Sequence, residues 1–352
     1  MASGHFETRR SKLGYTYEVW EPAVPRIADD FIDCCLYLYP STVDAEAGTK
    51  IGGSGFVVGL HSKQYDDIFY LYAVTNRHVV ETGGTVIRLN TNTGNTDILD
   101  YNERHWVLHP AGDDLAVCPL PSFNDKPYKY KAITERDHFI THAAIEELNI
   151  GPGDDVFVVG RFVNQEGRQR NVPSVRFGNI AQMPADIIRQ ARGAGFFDQE
   201  SFVVEARSIG GYSGAPVFVG MDPTLLRNNH SGVVSNRIFL LGVCWGYITD
   251  WNPVCDNVGT PVQGGTQVKS NTGMMAVVPS WKLSELLHMA NLEDARKKAD
   301  DDIAKQRMSL AATPASIPPS AAVIEKSTDE NPDHKADFDR LLQKAAKVTK
   351  DQ

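Results

Sequence analysis

"SIGGYSGAPVF", residues 208–218, is the stretch that decides the fold, because it places Ser213 between glycines and then runs into apolar residues. Gly, Ser and Pro are the ordinary residues of tight turns, so the segment alone also fits a turn that enters a strand without any chemistry. A serine hydroxyl is a weak nucleophile until a neighbouring base removes its proton and a third group orients that base. The rest of the chain therefore decides between a nucleophile and a turn.

The best candidate base is His78, in "IFYLYAVTNRHVVET", where it follows a strongly apolar strand and a polar turn. The best candidate carboxylate is Asp114, in "AGDDLAVCPL", at the start of another apolar strand. A carboxylate that is partly buried needs a hydrogen-bonding partner, and a histidine Nδ1–H is one such partner. Taken singly, His78 could cap a strand and Asp114 could be a turn aspartate, and Asp113 could take either acidic role.

The bulk composition describes a soluble globular protein. The chain has 352 residues, of which 42% are hydrophobic and 22% are charged. The formal net charge of −9 argues against nucleic acid as a partner. We also expect no membrane partner, since no apolar run approaches the roughly 20 residues that cross a bilayer. The first residues contain no apolar segment typical of a secretory signal.

The cysteines indicate a reduced compartment. There are five, an odd number at irregular positions, and Cys34, Cys118 and Cys244 lie in apolar, strand-like segments. No disulfide framework and no paired-cysteine metal motif is recognisable, so we expect neither metal nor cofactor. These features predict a cytoplasmic location.

Two series of short segments rich in Val, Ile, Tyr and Phe, separated by turn residues, predict an all-β protein. The predicted organisation is an N-terminal extension (1–30), a first barrel (31–134), a connector with partly helical spacing (135–150), a second barrel (151–279), a helix (280–308) and a flexible tail (309–352). The tail is rich in Ala, Pro, Ser and Thr, which cannot bury enough surface to order it. A partner could dock on this tail. Two β-series followed by a helix favour two barrels or one large sandwich.

Together the motifs are specific. In chain order they are "GSGFVV" with "AVTNRHVV", "DDLAV", "GDDVFVVGRF", "GGYSGAPVF", "LLGVCWGY" and "NTGMMAVVPS". This series resembles the chymotrypsin-fold (trypsin-like) serine peptidases, in their disulfide-free, bacterial-type branch. The resemblance implies two six-stranded antiparallel β-barrels and a C-terminal helix. It also implies a hydrolase, a serine endopeptidase that cleaves protein or peptide substrates through a catalytic triad and an acyl-enzyme intermediate.

The resemblance also implies residue roles. Ser213 would attack the scissile carbonyl, His78 would transfer its proton, and Asp114 would orient the imidazole. The backbone N–H groups of Gly211 and Ser213 would form the oxyanion hole. The substrate would pair with an edge strand, to which the resemblance assigns Val243, Cys244, Trp245 and Gly246.

Specificity is predicted from Arg207, six positions before Ser213, where members that cleave after basic residues carry an aspartate. An arginine there would favour acidic residues before the scissile bond. In the alternative interpretation, Arg207 faces solvent or pairs with Glu205. Tyr212 is a further departure: the secreted digestive members have an aspartate there that pairs with a cleaved N-terminus, so that activation route is not expected.

Three other interpretations stay open at this stage. An α/β-hydrolase would need Gly-x-Ser-x-Gly and a histidine after the serine, but residue 215 is Ala. His138 and His142, with Glu146 one turn further, could bind zinc on one helix face. The strongest alternative is a catalytically inactive trypsin-like fold that serves as a scaffold or binding module.

Overall fold

A computed structural model of the chain describes residues 4–10, 16–22, 27–50, 52–123, 126–162, 169–184, 187–192, 195–206, 210–220, 238–257, 259–261 and 265–312. The chain divides into two compact units, Met1–Asp302 and Ile303–Gln352. Within the second unit, the described residues 303–312 are helical. The remainder of the predicted tail, from residue 313, lies outside the described residues. The strands and the sites below belong to the first unit.

The N-terminal half contains ten strands and five α-helices among the described residues. The strands are β1 (Gly4–Arg10), β2 (Thr16–Pro22), β3 (Cys35–Tyr39), β4 (Gly53–His61), β5 (Phe69–Thr75), β6 (Val86–Asn90), β7 (Thr96–Leu99), β8 (Val107–Leu108), β9 (Ala116–Pro119) and β10 (Ile133–Thr134). The α-helices are α1 (Asp29–Asp33), α2 (Thr42–Ala47), α3 (Arg77–Glu81), α4 (Glu135–His138) and α5 (His142–Leu148), and Glu103–His105 form a 3₁₀ turn. Strands β1 and β2 pair as an antiparallel hairpin.

The first β-series forms an open sheet, with the strand order β7-β6-β3-β4-β5-β9-β8 and β10 beside β4. The prediction of a closed, six-stranded first barrel over residues 31–134 is therefore not met. The two end strands are short, four residues in β7 and two in β8, and each pairs with a single neighbour. The chain between β7 and β8 contains the 3₁₀ turn. These two fully described end strands do not pair with each other, so the sheet stays open.

The second β-series forms the closed barrel that was predicted. Its elements are β11 (Asp155–Gly160), β12 (Ser174–Gln182), β15 (Phe202–Glu205), β16 (Pro216–Gly220), β17 (Ile238–Pro253) and β18 (Gln267–Pro279), after the hairpin of β13 (Ile187–Arg192) and β14 (Gly195–Glu200). The barrel order is β11-β12-β15-β18-β17-β16. Phe56 of the first sheet and Phe157 and Phe218 of the barrel share one buried cluster. Burial of each such side chain contributes roughly 1.5–3 kcal/mol, and this cluster holds the sheet against the barrel.

The predicted C-terminal helix is two helices, α6 (Ser280–Leu287) and α7 (Ala290–Ala312). Helix α6 buries Leu283, Leu286 and Leu287, which helical spacing brings to one face. Ser280, its first residue, is buried and donates a hydrogen bond to the carbonyl of Ile140 at 2.9 Å. The connector is also two short helices, α4 and α5, separated by residues 139–141.

All five cysteines are free thiols, four of them buried and Cys255 exposed. Burial raises the pKa of the Cys35 and Cys118 thiols to about 12. Such thiols are poor nucleophiles at neutral pH, so they act as small apolar side chains. Among the helices that the structure describes, none combines the length and the apolar character needed to span a membrane.

Candidate active site

Asp114 and His78 form a hydrogen-bonded pair. The Nδ1 atom of His78 lies 2.6 Å from Oδ2 of Asp114, whose other oxygen accepts the backbone N–H of His78 at 2.9 Å. The Asp114 side chain is fully buried, whereas His78 is one-third exposed. Two hydrogen bonds to one carboxylate fix both the position and the tilt of the imidazole, and an Nδ1–H donor leaves Nε2 as the basic nitrogen.

The chain places this pair at the ends of strands. His78 is the second residue of α3, which begins two residues after β5 ends at Thr75. Asp114 precedes β9, and β9 pairs with β5 through Thr75 and Ala116. Neighbouring strand ends thus bring together two side chains that are far apart in sequence.

Two buried amides hold the backbone of Asp114. Gln199, from β14, accepts the Asp114 N–H at 2.8 Å, and Asn76 donates to the Asp114 carbonyl at 2.8 Å. Gln199 also donates to Asp113 at 2.7 Å, and Asp113 lies 3.0 Å from Nδ1 of His109. Asp114, rather than Asp113, is therefore the carboxylate on His78.

The Ser213 turn is fixed against the first sheet. Gly214 has a φ of 86° and its N–H donates to Cys244 at 2.8 Å. A side chain at Gly214 would come within 2.1 Å of the Ser54 carbonyl oxygen, so only glycine fits. That carbonyl also accepts the Thr75 hydroxyl at 2.8 Å, and the Ser54 N–H donates to the Ser213 carbonyl at 2.8 Å.

The same contacts bring Ser213 beside the helix of His78. A Cβ at Gly53 would lie 2.9 Å from Val79 and 3.1 Å from the Ser213 carbonyl oxygen, so both residues pack on this glycine. Within the described part of the chain, no hydrogen bond joins the Ser213 hydroxyl to His78. Catalytic hydrogen bonds are often long or poorly aligned without substrate.

The residues before Ser213 present two backbone donors. Gly211 has a φ of 98°, and its carbonyl accepts the Ser54 hydroxyl at 2.7 Å. This bond turns the Gly211 carbonyl toward the first sheet. The N–H groups of Gly211 and Ser213 donate to no atom among the residues that the structure describes, whereas Gly214 and Ala215 donate within the turn and its neighbour strand.

Tyr212 holds the Ser213 turn through its buried side chain. The side chain is buried, its hydroxyl shares a short hydrogen bond with Ser174, and Nε of Arg176 donates to it at 3.2 Å. A buried tyrosine thus occupies the position where the sequence resemblance would place a pairing aspartate. Tyr212 holds the turn through packing and through its hydrogen bonds with Ser174 and Arg176.

Strand β17 leaves an edge beside Ser213. Val243 pairs with Pro216 of β16, and Cys244 exchanges hydrogen bonds with Gly214 and Ala215. Beyond Cys244, pairing on this side of β17 stops in the described residues, so the available edge begins at Trp245. Of the four residues predicted to bind substrate, Trp245 and Gly246 thus lie on this edge, whereas Val243 and Cys244 pair with the turn and its strand.

A cavity of about 290 Å³ lies next to the turn. It is lined by Gly210, Tyr247, Thr249, Lys269, Ser270 and Asn271. Among the described residues that line this cavity, Lys269 carries the charge. Arg207, on which the specificity prediction rests, lies outside the described residues.

The zinc site predicted as an alternative on one helix face does not form. His138 ends α4, where its Nδ1 lies 3.0 Å from the Thr134 hydroxyl, and His142 begins α5 and stacks on Trp281 at 4.1 Å. The intervening extended residues put the two imidazoles in different surroundings.

Gln199, Asn76 and Ser54 position the site, and sequence reasoning missed all three. Ser54 lies in the quoted "GSGFVV" and Asn76 in "AVTNRHVV", so both stood within recognised motifs. Gln199 had no signal, because its hairpin lies in a segment that was not recognised as strand.

Part of the chain is similar to a known protein family. The family model of the trypsin-like peptidase domain matches residues 53–221. Two solved structures of Rv3671c from M. tuberculosis are similar. One is the inactive form of a serine-to-alanine mutant (14% identity, TM-score 0.38, covering 75% of this chain and 89% of that one). The other is the active form of the Rv3671c protease (15% identity, TM-score 0.36, covering 73% and 80%). No curated protein sequence matches the chain significantly.

The family match spans the strand that opens with Gly53, the His78 helix, the Asp114 loop and the Ser213 turn. Over residues 53–221 the chain is therefore similar to the trypsin-like peptidase domain.

Proposed function

We propose that this protein is a serine endopeptidase that uses Ser213, His78 and Asp114 as a catalytic triad. The observation that carries the proposal is the buried Asp114 carboxylate 2.6 Å from Nδ1 of His78. Desolvation of a carboxylate is costly, and an imidazole that accepts a proton beside it offsets that cost. The proposal thus gives this buried charge a chemical role.

In the first step, Nε2 of His78 takes the Ser213 proton while the Ser213 oxygen attacks the scissile carbonyl carbon. The imidazolium then gives that proton to the leaving amine, and the acyl group stays on Ser213. A water molecule repeats the sequence and releases the acid, with His78 acting again as base and then as acid. Asp114 stabilises the imidazolium in both halves.

The oxyanion would be bound by the N–H groups of Gly211 and Ser213. Support comes from the N–H groups of these two residues, which donate to no atom among the described residues and so are available to an oxyanion. Donors that are fixed before the reaction stabilise the developing charge without reorganisation, and loss of one such donor typically costs about 2.7–4 kcal/mol.

The substrate backbone would add as a strand to β17 from Trp245 onward. The Trp245 indole donates to Ser201 at 2.9 Å, which fixes the ring beside that edge. Main-chain pairing of this kind binds an extended peptide with little dependence on its side chains. It supports protein or peptide substrates that are locally unfolded.

For specificity, we keep the preference for acidic residues before the scissile bond that Arg207 predicts. Independently of Arg207, Lys269 lines the cavity beside Gly210, where a cation would favour an acidic substrate side chain. A positional-scanning peptide library should show the preference, and Lys269→Ala should weaken it. Robust cleavage after Lys or Arg, unchanged in Lys269→Ala and Arg207→Ala, would contradict it.

A second candidate function is an inactive scaffold of the same fold, favoured by the missing hydrogen bond between Ser213 and His78 among the described residues. Cleavage of unfolded proteins by the purified chain separates the two, with new N-termini read by mass spectrometry. The peptidase predicts cleavage that Ser213→Ala and His78→Ala each abolish. Ser122→Ala, which replaces an exposed serine in the segment after β9, should retain it. Equal cleavage by wild type and Ser213→Ala would exclude Ser213 as the nucleophile.

A further inference from the structure

Three potential metal ligands meet behind the Asp114 loop. His109 and Asp113 lie on either side of a tight turn, closed by the bond from the Gly112 N–H to the His109 carbonyl at 3.1 Å. Glu285 reaches the same place from helix α6. One ligand atom from each residue lies within 4.8 Å of the other two. An imidazole and two carboxylates are a donor set that suits zinc and related divalent metals.

His109 and Asp113 are both buried, and His109 is the more informative of the two. The side chain is 2% exposed, yet neither ring nitrogen has a hydrogen-bond partner within the described part of the chain. Its Nδ1 lies 3.0 Å from Oδ2 of Asp113 and its Nε2 lies 3.7 Å from Oε2 of Glu285. A buried polar group without a hydrogen bond costs about 1–3 kcal/mol, so the imidazole needs another partner.

One pair of these atoms has the spacing of zinc ligands. Zinc binds nitrogen and oxygen at about 2.0–2.2 Å, which places two of its ligand atoms roughly 3.0–3.5 Å from each other. The distance of 3.0 Å between Nδ1 of His109 and Oδ2 of Asp113 lies in this range although no hydrogen bond joins them. Glu285 lies 3.7 Å from the other ring nitrogen, so its carboxylate, on a side chain that is 53% exposed, would turn toward Nδ1 to close the site from the solvent side.

A second layer already orients the Asp113 carboxylate. Its Oδ1 accepts the Nε2–H of Gln199 at 2.7 Å, which leaves Oδ2 directed at His109. Gln199 is fully buried. Ligating carboxylates in proteins are held by outer hydrogen bonds of this kind.

The ammonium group of Lys282 lies near the cluster. Nζ of Lys282 lies 3.4 Å from Glu285 and 3.7 Å from Glu200. A bound metal would compete with Lys282 for the Glu285 carboxylate, while Glu200 would still pair with the lysine. Lys282 therefore lowers the metal affinity without blocking the site.

We propose that His109, Asp113 and Glu285 form a binding site for one divalent transition metal, with zinc as the best match. The site is separate from the triad, and it adjoins the catalytic loop through the peptide bond between Asp113 and Asp114.

The test is metal binding by the purified full-length chain in a Cys255→Ser background, which removes the exposed thiol. Zinc affinity is measured by competition with a chromogenic chelator, and Co²⁺ is added as a spectroscopic probe of coordination. Wild type should bind one zinc ion, and one Co²⁺ with the visible d–d bands of a low-coordinate nitrogen–oxygen site. His109→Gln and Glu285→Gln should each weaken zinc binding at least about 10-fold. Lys282→Gln should strengthen it.

His105→Gln, an exposed histidine outside the cluster, is the matched control and should bind zinc like wild type. Should His109→Gln fail to fold, Glu285→Gln still decides, because Glu285 lies on the surface of α6. No binding by wild type, or equal affinity in Glu285→Gln and wild type, would overturn the proposal.

Discussion

Asp114 shows how a single residue can be fixed from several sides. Its side chain is fully buried, His78 takes both carboxylate oxygens, and Gln199 and Asn76 hold its backbone N–H and carbonyl. The imidazole therefore has one orientation and one favoured tautomer, with the proton on Nδ1. Loss of the carboxylate charge should affect catalysis far more than folding.

We expect Asp114→Asn to lower kcat/KM for a peptide substrate by about 10⁴, because an amide can donate to Nδ1 and so favours the wrong imidazole tautomer. The measurement is the steady-state rate, with circular dichroism to confirm the fold. Asp155→Asn is the control, because Asp155 is an exposed residue on strand β11 of the barrel, and this variant should keep wild-type activity. A fall of less than tenfold in Asp114→Asn would remove Asp114 from the triad.

At the scale of elements, helix α7 is fixed where it begins. His288, between α6 and α7, lies 2.9 Å from Glu135 of α4 and 3.0 Å from Glu293 of α7, and Glu293 also pairs with Lys63 at 3.0 Å. Burial would lower the pKa of His288, but the hydrogen bonds with Glu293 and Glu135 outweigh burial and raise it. The hydrogen bonds from His288 and Lys63 lower the pKa of Glu293 to about 2.

These shifts predict how stability depends on pH. A raised histidine pKa stabilises the fold fully below about pH 6.5, and this contribution is lost as the pH rises through the folded-state pKa. The lowered pKa of Glu293 acts at the other end, where its contribution is lost as the pH falls from about 4.5 toward 2.

We therefore expect the free energy of unfolding of wild type to fall as the pH rises above about 6.5, and His288→Gln to remove much of this fall. Urea titrations at several pH values measure it, with His105→Gln as the control. An identical pH dependence in wild type and His288→Gln would show that His288 does not stabilise this junction.

The elements also show what the sequence could and could not predict. The barrel strands were readable because β-branched and aromatic residues alternate with turn residues, and the Asp114–His78 pair followed from motif order. The sequence could not show that the first sheet stays open. Closure depends on hydrogen bonds between the two short end strands and not on composition. The break at His288 was hidden for a similar reason, because its cause is a pair of contacts across the fold.

At the scale of the whole molecule, the site lies where the open sheet meets the closed barrel. The sheet contributes His78 and Asp114, and the barrel contributes the Ser213 turn and the β17 edge. Ser54 joins the two: its hydroxyl donates to Gly211 and accepts the N–H of Arg161, and its N–H donates to Ser213. A shared buried cluster packs the sheet on the barrel, so the distance between His78 and Ser213 is set by the packing of these two parts of the fold.

Covalent labelling of Ser213 by a fluorophosphonate tests the central claim most directly, because the reagent reacts with a serine only when its hydroxyl is activated. The purified chain is incubated with the probe, digested, and the modified peptide is identified by mass spectrometry. The account predicts a single label on Ser213 in wild type, strongly slowed in His78→Ala and absent in Ser213→Ala. A folded wild-type chain that takes no label, or labels equally in His78→Ala, would contradict it.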